Sequence, residues 1–243
     1  MPPDTVTSRR LSPSPRSPAR QEKARAIVEA LRRSRPDPRI ELDHETPFQL
    51  LVATILSAQC TDARVNLVTP EVFRRWPTPA AMAAAEPGQL IPVIRSTGFF
   101  NNKAKSLVGC SRALMERHGG EIPREIESLA ALPGIGRKTA NVVLGGAYGI
   151  ASGIVVDTHM MRVSRRLGLT RQTTPEGIER DLMALVPRPS WVFFSIAMVL
   201  HGRYVCTARH PTCASCVLNA LCPSRDRVDP PPARRPPRGR GRD

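Results

Sequence analysis

Aromatic residues make up only 4% of this 243-residue chain. Proteins that bind single-stranded nucleic acid without sequence preference stack the bases on aromatic side chains, so that class is disfavoured. No apolar run reaches the roughly 18 residues that a membrane-spanning helix needs, and no apolar segment near the N-terminus predicts a secretory signal. Alternating strand-like segments and internal repeats are also absent. With 41% hydrophobic residues, the chain is expected to be globular and helical.

Acidic residues are few: 21 Asp and Glu stand against 36 Lys and Arg, which gives a net charge of +15. Such a charge favours a polyanionic partner, most simply nucleic acid, although charge runs often only solvate a surface. The positive excess persists after the Pro- and Arg-rich ends are set aside, which favours nucleic acid. We expect residues 1–20 and 224–243 to be disordered basic tails. They either raise non-specific DNA affinity or simply keep the protein dissolved.

Helical periodicity covers most of the chain between these tails. Ile154-Val155-Val156 is the one β-branched stretch, and it is too short to build a sheet. An all-α fold is therefore predicted. Helices are expected over residues 21–34, 48–59, 62–75, 78–85, 87–96, 101–118, 124–130, 136–148, 157–167, 175–185 and 191–204.

A tight turn separates two of these predicted helices in the middle of the chain. It has the sequence Leu132-Pro133-Gly134-Ile135-Gly136, and Arg137-Lys138 follows it. Glycine has no Cβ and readily adopts positive φ, so backbone N–H groups near Gly134 and Gly136 can point outward together. Amides at a helix N-terminus bind phosphate oxygens, and such contacts position a DNA backbone without reading its sequence. An ordinary αα-hairpin is the alternative, but the two basic residues after the turn favour phosphate binding.

Several segments of the chain resemble the endonuclease III family of helix-hairpin-helix DNA glycosylases. They are Leu56-Ser57-Ala58-Gln59-Cys60-Thr61-Asp62, Gly98-Phe99-Phe100-Asn101-Asn102-Lys103-Ala104, residues 132–143, Val156-Asp157-Thr158-His159 and a cysteine cluster near the C-terminus. They occur in the family's order and span about residues 21–223. The resemblance implies an all-α, two-domain helix-hairpin-helix DNA glycosylase fold with a [4Fe-4S] cluster loop. It also implies a discontinuous cluster domain (21–40 plus 152–223) and a six-helix domain (41–151) that contains the hairpin (124–148).

A lysine and an aspartate are the candidate catalytic residues. Lys138 lies on the first turn of a predicted helix, where the positive end of the helix dipole disfavours an ammonium. We expect partial burial to act in the same direction, and the neutral amine is the form that yields a Schiff base. From the residues alone, a phosphate contact is the better explanation of Lys138, and a structural N-cap that of Asp157. The resemblance assigns both residues to catalysis, with Asp157 as proton acceptor or cation stabiliser, and leaves His159 as a packing residue.

Six cysteines occur, and four of them lie within 17 residues: Cys206, Cys213, Cys216 and Cys222. Without an export signal, metal binding is a better explanation than disulfides. Four thiolates suit either Zn²⁺ or a [4Fe-4S] cluster. The resemblance to the family's cluster loop favours the iron–sulfur cluster. The other two, Cys60 and Cys110, fall in apolar helical runs and are expected in the core.

Further DNA-contacting residues follow from the resemblance. An enzyme that acts on a base must extrude it from the stack, and the family fills the gap with a polar side chain and an apolar wedge. Gln59 and Phe99 stand at these two positions, with packing of Phe99 in the core as the alternative. Between the first two cluster cysteines, Arg209 is the expected phosphate contact and is preferred to His210, because an arginine is always charged and a histidine is not.

The function implied is a bifunctional DNA glycosylase and abasic-site lyase of base excision repair. It would remove oxidised pyrimidines from duplex DNA and cleave the strand by β-elimination. The alternatives are an adenine-type glycosylase of the same superfamily and a non-catalytic iron–sulfur DNA-binding or redox-sensing protein. A monomer without membrane contact is expected, in the bacterial cytoplasm with the nucleoid.

Overall fold

The computed structural model describes residues 17–225, and within that range the chain is helical and has no strand. The all-α prediction is therefore confirmed. Residues 1–16 and 226–243, which hold most of the two predicted tails, lie outside the described range. The helices are α1 (Pro18–Ser34), α2 (Pro47–Leu56), α3 (Asp62–Arg75), α4 (Pro79–Ala83), α5 (Pro87–Ile94), α6 (Phe100–His118), α7 (Ile126–Ala130), α8 (Arg137–Tyr148), α9 (Thr158–Arg166), α10 (Pro175–Leu185) and α11 (Trp191–Tyr204).

Local signals set most helix starts. The hydroxyls of Thr46, Thr61, Thr78 and Thr174 each accept a hydrogen bond from the backbone N–H three residues further on. Such N-caps satisfy amides that have no partner inside the helix. Three of these four helices also have proline in the first turn, where its missing N–H costs nothing.

Several helix bounds and one helix count differ from the sequence-based expectation. Helix α1 begins at Pro18, so residues 18–20 are helical and do not belong to a disordered tail. Arg20 contributes to this order, because its Nη2 donates to the carbonyl oxygen of Leu169 at 2.6 Å. Helix α2 ends at Leu56, not at residue 59. Residues 41–151 hold seven α-helices, the number that the periodicity predicted and one more than the six-helix domain implied by the resemblance.

The apolar side chains form two separate cores. The first lies among helices α2–α8 and is built from residues between Leu42 and Leu144. The second combines α1 with the C-terminal helices, so it draws on residues 24–31 and on residues 154–218. Helix α1 packs against α10 and α11, which brings the two ends of the described chain together.

Polar and close contacts join the two cores. Arg203 of α11 donates to Asp62 at the start of α3 at 2.6 Å, and it also binds Glu41. The hydroxyl of Tyr204 donates to the same Glu41 carboxylate at 2.5 Å. On α8, a Cβ added to Gly145 would lie 3.4 Å from Val192 Cγ1 of α11, so these two helices are also close to each other here. None of the helices in residues 17–225 is long and apolar enough to cross a bilayer.

Candidate active site and nucleic-acid interface

A cavity of about 120 Å³ lies at the junction of the two cores and contains both candidate catalytic residues. Lys138 enters it from the first turn of α8, and Asp157 from the turn before α9. The remaining wall comes from α2, α11, residues 39–42, the segment before α9 and the start of α3. Two residues that are 19 positions apart in the sequence are thus placed in one solvent-accessible site.

The hairpin turn owes its shape to one of its two glycines. Gly134 has φ +76°, and a Cβ there would lie 2.6 Å from both Cβ and Oγ of Ser106 on α6. Gly136 has φ −100°, and a Cβ there would meet no atom within 4 Å. The positive φ predicted for both glycines therefore holds for Gly134 alone. Gly136 is the N-cap of α8, and in the described range no side chain caps that helix, so its first amides are left without a capping partner.

Lys138 is exposed, so the partial burial expected for it is not observed. It is presented by the N-terminal turn of α8 rather than enclosed by neighbouring side chains. The chain contains four lysines, Lys23, Lys103, Lys105 and Lys138. Lys138 is the one that lines this cavity.

Arg137 makes a specific ion pair that sequence reasoning missed. Its Nε donates to Glu179 of α10 at 2.9 Å, and this bond raises the pKa of the Arg137 guanidinium. Asn141 Nδ2 donates to the other oxygen of Glu179 at 3.0 Å, and Ser152 Oγ donates to Asn141 Oδ1 at 2.8 Å. Glu179 is buried, whereas the Arg137 side chain remains 48% exposed. The hairpin helix is thereby attached to the second core directly beside Lys138.

Asp157 is the N-cap of α9, as its sequence context predicted. Its Oδ1 accepts a hydrogen bond from the Met160 N–H at 2.7 Å, and the side chain is half-buried. One carboxylate oxygen is engaged in this way, while the residue also lines the cavity of Lys138. His159 contacts Arg162, with 3.2 Å between His159 Nδ1 and Arg162 Nη2, and does not line that cavity.

Gln59 and Phe99 share an unusual backbone conformation. They are the two non-glycine residues with positive φ in residues 17–225, at +54° and +47°. Left-handed conformations are uncommon outside glycine and cost about 1–3 kcal/mol each. Both side chains are exposed, Phe99 by 61%. The alternative that Phe99 packs in the core is therefore wrong.

The four clustered cysteines line one pocket beside the end of α9. Cys206 Sγ accepts a hydrogen bond from Arg166 Nη1 at 3.4 Å, and Cys216 Sγ accepts one from the Leu218 N–H at 3.4 Å. In the range described, no three His, Cys, Asp or Glu side chains are close enough to hold a single metal ion. Burial raises the pKa of Cys216 and Cys222. Four thiols with N–H donors to sulfur are a suitable donor set for a group larger than one ion.

The other predicted positions are placed as follows. Arg209 is exposed on the loop between Cys206 and Cys213. Cys110 is buried, and desolvation raises its pKa to about 12, so the core position expected for it is confirmed. Cys60 is only partly buried against the first core, which departs from the same expectation.

Comparison with known proteins adds independent evidence. Residues 52–188 match the model of the HhH-GPD superfamily base excision DNA repair proteins. Endonuclease III of Synechocystis is 52% identical over 206 residues, which cover 85% of this chain and 94% of that relative. Endonuclease III of Escherichia coli K12 is 41% identical over 203 residues, covering 84% and 96%.

Solved structures agree with these relatives. A trapped covalent intermediate of endonuclease III with DNA and a non-covalent endonuclease III–DNA complex both have a TM-score of 0.79 and 41% identity. Each covers 84% of this chain and 95% of the other. A thermostable thymine-DNA glycosylase, at 21% identity and a TM-score of 0.72, shares the fold. The chain thus belongs to the endonuclease III family of the HhH-GPD superfamily.

Proposed function

We propose that this protein is a bifunctional DNA glycosylase and abasic-site lyase of base excision repair, acting on damaged duplex DNA. The observation that carries the proposal is the meeting of Lys138 and Asp157 in one open cavity behind a helix-hairpin-helix. The relatives named above are endonucleases III, and this chain matches nearly their whole length. One similar structure is a covalent intermediate between endonuclease III and DNA, which is the kind of species that a lysine nucleophile forms.

The proposed chemistry begins with Lys138 as a neutral amine. The nitrogen attacks C1′ of the damaged nucleotide, a C–N bond forms, and the bond to the base breaks with its electron pair leaving on the base. Asp157 accepts the proton released by the amine, or stabilises the cationic sugar while the base departs. Its N-cap bond to Met160 holds one oxygen fixed and leaves the other for this task.

The second step cleaves the strand. Ring opening of the sugar gives a Schiff base between Lys138 and C1′, which makes the C2′ proton acidic. Removal of that proton expels the 3′ phosphate by β-elimination, and hydrolysis frees the lysine. A covalent Schiff base explains how one site performs both base release and strand cleavage.

DNA binding is assigned to three surfaces. The amides of the hairpin turn around Gly134 and Gly136, with Arg137 beside them, hold the phosphate backbone near the lesion. Gln59 and Phe99 enter the base stack, and Arg209 contacts a phosphate on the cysteine loop. The exposure of Gln59, Phe99 and Arg209 supports these assignments.

A [4Fe-4S] cluster is proposed as the cofactor, held by Cys206, Cys213, Cys216 and Cys222. The four thiols line one pocket, and donors from Arg166 and Leu218 reach two of their sulfurs. When bound, the cluster supplies a covalent cross-link that fixes the C-terminal loop against the second core. The monomeric state and the cytoplasmic, nucleoid-associated location expected from the sequence stay predictions.

The proposed function is tested on a duplex oligonucleotide containing one thymine glycol, an oxidised pyrimidine. The native protein should release the modified base and cleave the strand 3′ to the resulting site. Lys138→Ala should do neither, while Lys105→Ala, which removes a lysine remote from the cavity, should retain both activities. Base release that survives in Lys138→Ala would show a hydrolytic glycosylase without the lysine chemistry.

A further inference from the structure

A buried lysine outside the active site connects the two loops that carry Gln59 and Phe99. Lys103 lies on the first turns of α6 and is only 4% exposed. Its Nζ donates to the carbonyl oxygen of Leu56 at 2.7 Å and to that of Thr97 at 2.8 Å. Both acceptors belong to the main chain, so the contact fixes backbone positions and not another side chain.

The two acceptors sit directly before the two loops. Leu56 is the last residue of α2 and precedes Gln59 by three positions, and Thr97 ends the 3-10 turn Arg95–Thr97 and precedes Phe99 by two. Both loops contain a non-glycine residue with positive φ. Such conformations persist only where the surroundings hold them in place. The Lys103 ammonium therefore restrains the backbone just before each of the two strained residues.

The electrostatics explain why a charge is tolerated here. Burial lowers the pKa of Lys103, and the electrostatic influence of nearby Cys60 acts in the opposite direction. An ammonium without hydrogen-bond partners would be very costly at this depth. The carbonyl of Leu56 is at the C-terminus of α2, where the negative end of the helix dipole favours a cation. An apolar side chain would fill this space at a lower desolvation cost, but it would leave the two loops unconnected.

We propose that Lys103 is a positioning residue that ties the Gln59 loop to the Phe99 loop, so that both side chains enter the base stack together. This inference rests on the proposed function, because it concerns the opening of the duplex before Lys138 acts. Lys103 is not among the residues that line the cavity. Its effect is therefore confined to substrates from which a base must be extruded.

The test compares two substrates with Lys103→Met, which keeps the length of the side chain and removes its charge and donors. On duplex thymine glycol DNA, single-turnover base release should fall by about tenfold to a hundredfold, because displaced loops misplace the lesion. On a single-stranded abasic oligonucleotide, where no base has to leave a stack, borohydride trapping should stay within about threefold of native. The exposed Lys105→Met on the same helix removes the same charge and should match native on both substrates.

A merely structural role would affect both substrates alike. Val108→Ala, which creates a cavity in the buried face of α6, shows the effect of a purely structural change. Each variant is assayed at the same number of degrees below its own Tm. Equal losses of Lys103→Met on the two substrates, or no loss on the duplex, would overturn the inference. If the native protein traps on neither substrate, the proposed function itself fails.

Should Lys103→Met not fold, NMR of the native protein decides the question. The Lys103 ¹⁵Nζ signal should show hydrogen-bond couplings to the carbonyl carbons of Leu56 and Thr97. It should also shift when a duplex containing an uncleavable abasic-site analogue binds, and stay in place with the single-stranded analogue. Absence of the couplings, or an identical response to both ligands, would contradict the proposal.

Discussion

At the scale of single residues, Asp157 combines two tasks in one carboxylate. Its Oδ1 caps α9 through the Met160 N–H, and the residue lines the cavity of Lys138. Asparagine preserves the cap, because its amide oxygen also accepts that hydrogen bond. It removes the negative charge, and with it the proton acceptor.

The two tasks are separated by two substitutions. Asp157→Asn should lower base release by roughly a hundredfold, the usual contribution of acid–base catalysis, with little change in Tm. Asp157→Ala should show the same loss of activity and in addition lose about 1 kcal/mol with the cap. Calorimetry and single-turnover kinetics on the two variants measure both effects. Similar Tm values for the two variants would show that the cap contributes nothing.

At the scale of helices and turns, Gly134 has two constraints in the hairpin, a positive φ and a close neighbour. Gly134→Ala combines the strain of a positive φ, about 1–2 kcal/mol, with a clash against Ser106 of α6. Gly149 ends α8 with φ +66° and has nothing within 4 Å of an added Cβ, so Gly149→Ala incurs only the strain.

The matched pair of glycine variants tests the hairpin as a DNA-binding element. Gly134→Ala should weaken binding to a duplex with an uncleavable abasic-site analogue and lower Tm further than Gly149→Ala does. Gly149→Ala should bind that duplex with native affinity. Fluorescence anisotropy gives the two Kd values. Equal affinity of the two variants would remove the turn from the interface.

Helix α8 is further held by Glu179 of α10. Glu179→Ala leaves the donors of Arg137 and Asn141 without their carboxylate, which costs about 1–3 kcal/mol for a buried polar group. We expect a fall in Tm together with slower strand cleavage, because α8 presents Lys138. Glu176→Ala, an exposed glutamate on the same helix, is the control. Thermal unfolding with unchanged Tm in Glu179→Ala would contradict a supporting role of this network.

Local sequence signals were sufficient to predict the helices and part of the candidate site. Helices α10 and α11 have the predicted bounds, since Thr174 with the proline after it and the apolar run from Trp191 are local signals. The end of α2 was not predictable, because the carbonyl of its last residue, Leu56, is bound by Lys103, 47 residues further along the chain. Glu179 is likewise joined to Arg137 across 42 residues. No periodicity or motif in a single sequence indicates such a pairing, and only the folded chain brings the partners together.

At the scale of the whole molecule, the cysteine loop closes the second core. Residues 206–225 contain only short 3-10 turns, so we expect their order to depend on the proposed cluster. Cys213→Ser should lose most of the roughly four iron atoms expected per chain and become sensitive to protease within 206–225. The far-UV helix signal should largely remain, because α1–α11 lie outside the loop. Native iron content and native protease resistance in this variant would argue against the four-cysteine assignment.

Each of the two cores positions one of the two candidate catalytic residues. Helix α8 with Lys138 belongs to the first core, and Asp157 adjoins the second. We propose that they correspond to the two predicted domains, with the catalytic cavity at their junction. Arg203, bound to Asp62 and Glu41, then joins the cysteine-loop side to the start of α3, close to Gln59.

The most direct test of the central claim is to locate the covalent bond. A native reaction with a duplex containing an abasic site is reduced with borohydride and digested, and the sugar adduct is mapped by mass spectrometry. With only four lysines in the chain, the assignment is unambiguous. We expect the adduct on Lys138 and none in Lys138→Gln. An adduct on another amine, or one that persists undiminished in Lys138→Gln, would contradict it.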